Sequence, residues 1–328
     1  PEAVAGKLGW LESHGAGLAF VAHAGHVVAV QRAIRPGHVV VEDALYGVKP
    51  KRIREALDAF EALGVRVCST AQVLSAAGAT LTGLGAGDSR LVHGLLDDDA
   101  WEQDLGALDA EIDWQTMFHR GGRVPRDIAV QAVLQDGREP IYRHPADAHP
   151  PTVPFSPRVD ALRRRVEALL EQPLNHCLVQ RYVDGDANIS LHADKTLDVT
   201  RGSSVVNVSL GATRTLVLRD KVDRTTHRLD LPHGSVFAMG WDTNRVYQHG
   251  IHPDRRTERE KRRRDERRGV RISLTFRNVA TFRQDGRLVG QGAGLCEDRR
   301  AMLAAFGEEN RDPSFDWEHW YGEGWSIL

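Results

Sequence analysis

Cysteine is scarce in this chain: three in 328 residues, Cys68, Cys177 and Cys296. They lie far apart and form neither a Cys-x-x-Cys pair nor a zinc spacing. This excludes a disulfide scaffold and a cysteine-built metal site, and favours a reducing setting inside the cell, nuclear or cytoplasmic. Long apolar runs are also missing. No stretch approaches the ~18 residues that a spanning helix needs, so no membrane partner is expected. The apolar stretch Leu18 to Val30 is broken by His23, Gly25 and His26, which is not the pattern of a signal peptide. Net charge is lacking too. Lys and Arg number 43 against 45 Asp and Glu, a balance of −2. Bulk electrostatics therefore announce no polyanionic partner, and any basic surface has to be local. What remains is 41% hydrophobic and 27% charged, enough for a buried core in one large domain or one domain plus a module.

The organisation follows from patterning. Residues 1–87 read as a small α/β module: a strand at His38 to Asp43, helical spacing at Ile53, Leu57, Phe60 and Leu63, then a strand at Val65 to Cys68. The glycine-rich stretch ending Gly83-Leu-Gly85-Ala-Gly87 reads as a linker, since no clear strand precedes it. Residues 88–285 form the expected main domain. A short helical region runs to about Trp114, a Pro-rich segment follows, and Ser156-Pro157 opens a helix carrying Val159, Leu162, Val166 and Leu169. Beyond Pro173 come short strands at Cys177 to Tyr182, Val205 to Leu210, Thr215 to Arg219, His227 to Leu231, Ser235 to Met239, Tyr247 to Gly250 and Arg271 to Asn278. Such a series predicts a mainly β core, a sandwich or jelly roll, within an α+β chain. Residues 286–328, with Trp317, Trp320, Tyr321 and Trp325, are expected to pack back on that core, and a monomer is expected.

Two His-x-Asp triplets occur, His192-Ala-Asp194 and His252-Pro-Asp254. Chance supplies about one in a chain of this composition, so the triplet alone decides little. A 2-His-1-carboxylate site needs three ligands on one face of iron. In an extended strand residues i and i+2 point the same way, so His192 and Asp194 can share a metal, with His249 from a later strand as third ligand. His252 and Asp254 have only His319 downstream of them, in the tail. Further along, Arg271, Ser273, Thr275 and Arg277 share one strand face, and Ile272, Leu274 and Phe276 the other. Two arginines facing inward demand anions, and a dicarboxylate supplies two charges. With ~20 Å between the two positions along the strand, their side chains are expected to converge on it.

Several segments carry a resemblance. Leu174-Asn-His-Cys-Leu-Val-Gln-Arg-Tyr-Val-Asp-Gly185, then Ile189-Ser-Leu-His192-Ala-Asp194-Lys195, resemble the AlkB family of oxidative dealkylases. So do Asn207-Val-Ser-Leu-Gly-Ala-Thr-Arg214, Leu231-Pro-His-Gly-Ser235 and Arg271-Ile-Ser-Leu-Thr-Phe-Arg277, in family order. The resemblance covers about residues 89–280. It implies a double-stranded β-helix with flanking helices, and Fe(II), 2-oxoglutarate and O2 as cofactor and co-substrates. Iron would be held by His192, Asp194 and His249, and 2-oxoglutarate by Gln180, Tyr182, Arg271, Ser273 and Arg277. Gln180 and Ser273 stand where the family usually has asparagine.

Met117-Phe118-His-Arg-Gly-Gly-Arg-Val124-Pro-Arg126 is similar to the duplex-DNA repair branch, where an aromatic wedges into the stack as a base is flipped. Phe118 falls at that place, and Tyr142 where an aromatic lines the base pocket; both also fit as core aromatics. Thr196 replaces an acidic pocket residue and His144 a second aromatic. The implied activity is oxidative dealkylation of N-alkylated bases in DNA or RNA. The alternative is oxidation of a small molecule or protein side chain. The basic segment at 255–268 is expected to be a solvated face rather than a phosphate contact.

Overall fold

The computed structural model describes residues 78–97, 100–119, 122–145, 150–256 and 269–325, with isolated positions before 78. Contacts divide the chain into two units, one of residues 1–78 with 256–266, the other of 79–255 with 267–328. In the first, Leu18–Ala19, Val39–Val41 and Arg66–Cys68 pair in parallel, and Glu55, Asp58 and Ala62 are helical. Positions 53, 57, 60 and 63 and most of the basic segment, 257–268, lie outside the described residues.

The second unit is a jelly roll of two facing antiparallel sheets. The larger runs in the order Thr80–Leu84, Ser89–Val92, Ser235–Met239, Val205–Gly211, Arg271–Arg277, His176–Tyr182, Gly122–Ala132 and Gln115–His119, with Thr152–Pro154 parallel to Gly122–Ala132. The smaller runs Ile189–His192, Tyr247–Ile251, Arg214–Asp220 and Thr226–Leu231.

The period-two alternation of Arg271–Arg277 organises everything between the sheets. Ile272, Leu274 and Phe276 face outward onto Val159, Leu162 and Val166 of the helix Pro157–Leu170 and onto Leu108 of Trp101–Glu111. Pro157 opens that helix, as the sequence predicts, and Glu171 closes it in a left-handed conformation. Leu169, expected on the same stripe, is 38% exposed. Arg271, Ser273, Thr275 and Arg277 face inward. Tyr182, Leu216, Phe237, Met239 and Ile251 fill the apolar layer between the sheets.

Two sequence expectations change, and one strand is new. The glycine-rich stretch is no linker: Thr80–Leu84 and Ser89–Val92 form a hairpin at the sheet edge, and Gly85 and Gly87 take positive φ in its turn. Strand Gly122–Ala132 is obscured in the sequence by Pro125, which the sheet accommodates near its margin, beside the short strand Gln115–His119. Asp194 lies not in a strand but in the irregular turn after Ile189–His192. Among the described residues, no helix is long and apolar enough to cross a membrane.

Strands Ile189–His192 and Tyr247–Ile251 approach closely, with His192 paired to His249 in register. A Cβ at Gly250 would sit 2.8 Å from the carbonyl oxygen of Ile189. Gly250→Ala is therefore expected to lower unfolding free energy by about 1–3 kcal/mol, as overpacking does. Urea titration checks this: the midpoint should fall at unchanged slope.

Candidate metal centre

Register places the first histidine pair. His192 ends its strand directly opposite His249, and their ring centroids are 4.4 Å apart. Asp194 enters from the turn that follows. Ligand atoms of the three residues lie within 4.8 Å of one another, the one such cluster of His, Cys, Asp and Glu among the described residues. His252 and Asp254 take no part in it.

Each group is held in a ligating form. His192 Nδ1 donates to the Ser190 carbonyl at 2.8 Å, which fixes the tautomer and leaves Nε2 free for a metal. Burial lowers the His192 pKa, and burial together with the neighbouring His192 ring pushes His249 down to about 3, so both rings are neutral near pH 7. Burial alone would raise Asp194; Arg277, His249 and His192 outweigh it and keep the carboxyl below its ordinary range. Arg277 Nη2 reaches Asp194 Oδ1 at 2.7 Å, and the Tyr142 hydroxyl donates to the same oxygen at 3.1 Å. Asn244 grips the Asp194 backbone from both sides: it accepts from the amide at 2.8 Å and donates to the carbonyl at 2.9 Å.

A cavity of about 670 Å³ opens beside this cluster. Gln180, Tyr182, Arg271, Ser273 and Arg277 all line it. The two arginines have different partners within the chain. Arg277 sits at the carboxylate of Asp194, whereas Arg271 donates to Asn207 Oδ1 at 3.0 Å and Ser209 Oγ at 2.8 Å, with its guanidinium 5.1 Å from the Tyr182 ring centre. Asn207 is paired with Thr275, so the Arg271 side chain runs along the strand in the direction of Arg277, and both line the cavity. Buried nitrogens remain without partners there: Nε and Nη1 of both arginines, and Gln180 Nε2. Burial pulls Arg271 down to about 10, the sign of a cation lacking compensation. Carboxylates in the cavity would satisfy these donors, so the set suits a small dianion.

The substrate-side expectations divide. Tyr142 and His144 line the cavity, their rings 5.9 Å apart, and the Arg277 guanidinium lies 4.1 Å from the Tyr142 ring centre. Phe118 does not line it; at 56% exposed it is no core residue either. Thr196 turns away: its amide donates to Glu309 Oε1 at 3.0 Å, its hydroxyl also donates to Glu309, and it accepts from Trp317 Nε1 at 2.8 Å.

That contact exposes residues the sequence did not reveal. The helix Arg299–Arg311 buries Met302, Ala305, Phe306 and Glu309 on one face, so a carboxylate occupies a core position. The neighbouring Asn310 Oδ1 accepts from the Ala193 amide at 2.8 Å, between the two ligands of the His-x-Asp triplet. The tail thus packs on the core as a clamp on the metal loop. The available signal was Glu309 sitting in register with apolar residues; nothing in its spacing linked it to His192.

A model of the 2OG-Fe(II) oxygenase superfamily matches residues 88–277. The chain is 33% identical over 134 residues to a bovine (Bos taurus) protein named DNA oxidative demethylase ALKBH2, covering 38% of this chain and 45% of that one. It is 29% identical over 127 residues to an uncharacterized protein of Acanthamoeba polyphaga mimivirus, covering 39% of this chain and 61% of that one. The chain spans about half the length of the curated relatives it matches. Among solved structures, that of OsALKBH1 aligns with 58% of this chain and 96% of its own, at 19% identity and a TM-score of 0.40.

Removing the Asn310 acceptor should loosen the turn that presents Asp194. Asn310→Ala is expected to weaken Co(II) binding by about 10-fold or more, the usual cost of losing an outer-shell partner. Asn310→Asp, which keeps the acceptor, is expected to bind within a few-fold of the parent. Titration followed by the visible absorption of Co(II) distinguishes the two.

Proposed function

Because the chain belongs to the 2OG-Fe(II) oxygenase superfamily and is AlkB-like, we propose that it is an Fe(II)- and 2-oxoglutarate-dependent dioxygenase that removes alkyl groups from N-alkylated nucleic-acid bases. His192, Asp194 and His249 would hold iron, and three neutral-or-anionic donors on one face suit Fe(II) while leaving positions for co-substrate and oxygen. When bound, iron with 2-oxoglutarate and O2 supplies the oxidising power for C–H hydroxylation. The chain's own residues do the rest. Arg271 and Arg277 would hold the carboxylates of 2-oxoglutarate, with Arg277 also orienting Asp194. Tyr142, fixed by its hydrogen bonds to Asp194 and Lys195, presents a ring face on which a base can stack.

One observation supports nucleic acid as the substrate. The hairpin Gln115–His119/Gly122–Ala132 lines the cavity mouth through Arg123, Val124 and Arg126, and on its other strand carries the exposed phenyl of Phe118, partnered in register with Arg123. A solvent-exposed phenyl beside arginines costs apolar burial in the free protein. It gains that burial when inserted between bases, which is what holding a base outside a duplex requires.

The test is formaldehyde release from a panel of oligonucleotides, each bearing one N-methyl base, single- and double-stranded, with iron and 2-oxoglutarate. Phe118→Ala is expected to lower kcat/KM on duplexes by about tenfold, with a smaller loss on single strands, where no stack has to be opened. Asp194→Asn is expected to abolish release on both, at least ~100-fold. Absence of formaldehyde from every oligonucleotide, with 2-oxoglutarate still consumed, would favour a small-molecule or protein substrate instead.

A further inference from the structure

The cavity carries charge of almost one sign. Among the described residues that line it are Arg123, Arg126, Lys195, Arg271 and Arg277, against the single carboxylate Asp194. Asp194 is committed to Arg277, Tyr142 and the histidine cluster. Glu309 does not line the cavity; it is buried behind Thr196, accepting from the Thr196 amide and hydroxyl and from the Tyr321 hydroxyl.

The wall supplied by the helix Arg299–Arg311 consists of Leu303, Phe306, Gly307 and Asn310, with no charge. Of the cations, Arg123 pairs with Asp127, Arg126 donates to the Asn188 carbonyl, and Arg271 and Arg277 match a dianion. Lys195 is left over. It is 6% exposed, lines the cavity, and its Nζ has no hydrogen-bond partner. Glu309 and Asp194 favour its charge from within the chain but give it no hydrogen bond, which leaves its donors for an acceptor from outside.

Alkylation gives rings of two kinds. At N1 of adenine or N3 of cytosine it adds a positive charge. At N3 of thymine or N1 of guanine it replaces an N–H, leaving a neutral ring with a carbonyl beside the alkylated nitrogen. Among the described lining residues, a cationic ring here meets an ammonium and no uncommitted carboxylate. A neutral one offers Lys195 the oxygen it lacks.

Resting on the dealkylase reading above, we propose that this site takes neutral N-alkyl rings bearing a flanking carbonyl, in preference to cationic ones, with Lys195 donating to that oxygen. The chemistry is unchanged by this choice. One oxygen of O2 enters a methyl C–H bond, and the other enters succinate as 2-oxoglutarate loses CO2. The N–CH2OH bond then breaks, formaldehyde leaves, and the hydroxyl proton returns to the ring nitrogen.

The experiment uses the full iron-loaded chain and single-stranded oligonucleotides in matched pairs: 3-methylthymine against 3-methylcytosine, and 1-methylguanine against 1-methyladenine. Both pairs differ in ring charge; the guanine–adenine pair also differs in having or lacking a flanking carbonyl, whereas 3-methylcytosine keeps its C2 carbonyl beside N3, so that pair isolates the effect of charge and of the C4 substituent. The neutral member is expected to have the higher kcat/KM by about tenfold or more, and Lys195→Met to bring that ratio towards one. Equal or faster turnover of the cationic members overturns this inference and leaves dealkylation standing. A ratio unmoved in a folded Lys195→Met protein overturns the role given to Lys195. No formaldehyde from any of the four, with 2-oxoglutarate still decarboxylated, overturns the dealkylase reading beneath it.

Discussion

Two guanidinium groups buried on one strand face set the terms for the rest of the molecule. Arg271 and Arg277 are 1% and 3% exposed. An uncompensated buried cation costs several kcal/mol, so the fold must supply anions or leave room for them. Asp194 answers Arg277 at 2.7 Å. No carboxylate answers Arg271, which leans on Asn207, Ser209 and the Tyr182 ring and keeps two nitrogens unpartnered. The jelly roll therefore folds around an electrostatic deficit at one end of its cavity. A dianionic co-substrate bound there acts as the missing part of a core, and its binding should be linked to stability as any native-state ligand is.

The same deficit explains why the iron loop needs outside help. Asp194 must face Arg277 and the two histidines while its own backbone leaves the strand, so its turn has no ladder to hold it. Asn244 takes the Asp194 amide and carbonyl, Asn310 takes the Ala193 amide, and Glu309 takes the Thr196 amide. Four backbone groups of residues 193, 194 and 196 are met by side chains from two helices. One of these helices lies beyond the residues matched by the superfamily model. Burial raises the Glu309 pKa, which its contacts with Lys195 and Thr196 only partly offset, so this clamp itself is costly to build. Its persistence in the fold is accounted for by what it fixes.

What the sequence makes legible follows the same physics. Strand Arg271–Arg277 announces itself because period-two alternation is local and its polar face is so costly; arginines on an inward face demand an anion whatever surrounds them. The His-x-Asp triplet and the order of its third partner are legible for a similar reason, since chemistry constrains them more tightly than packing does. Illegible are features whose meaning is tertiary. Proline at 125 hides a long strand, and glycines at 83, 85 and 87 read as a linker although they turn a hairpin. The tail residues Glu309 and Asn310 bear on the centre only because a helix over a hundred residues downstream in sequence lies across it.

On the proposed dealkylase reading, reaching a base and recognising it are separate problems that fall to separate elements. The exposed hairpin bearing Phe118 would address access, since insertion into a stack needs an apolar group and cares little which base leaves. Recognition would fall to the walls of the cavity, from which Thr196 is turned away towards Glu309 of the tail. Asp194 is then the one carboxylate among the described lining residues, and it is committed to Arg277 and the histidine cluster. On that reading, the oxidising centre and the choice of substrate would rest on groups within a few residues of one another that answer to different partners. His192 and Asp194 answer to the sheet and to Arg277; Lys195 and Thr196 answer to the cavity and to the C-terminal helix.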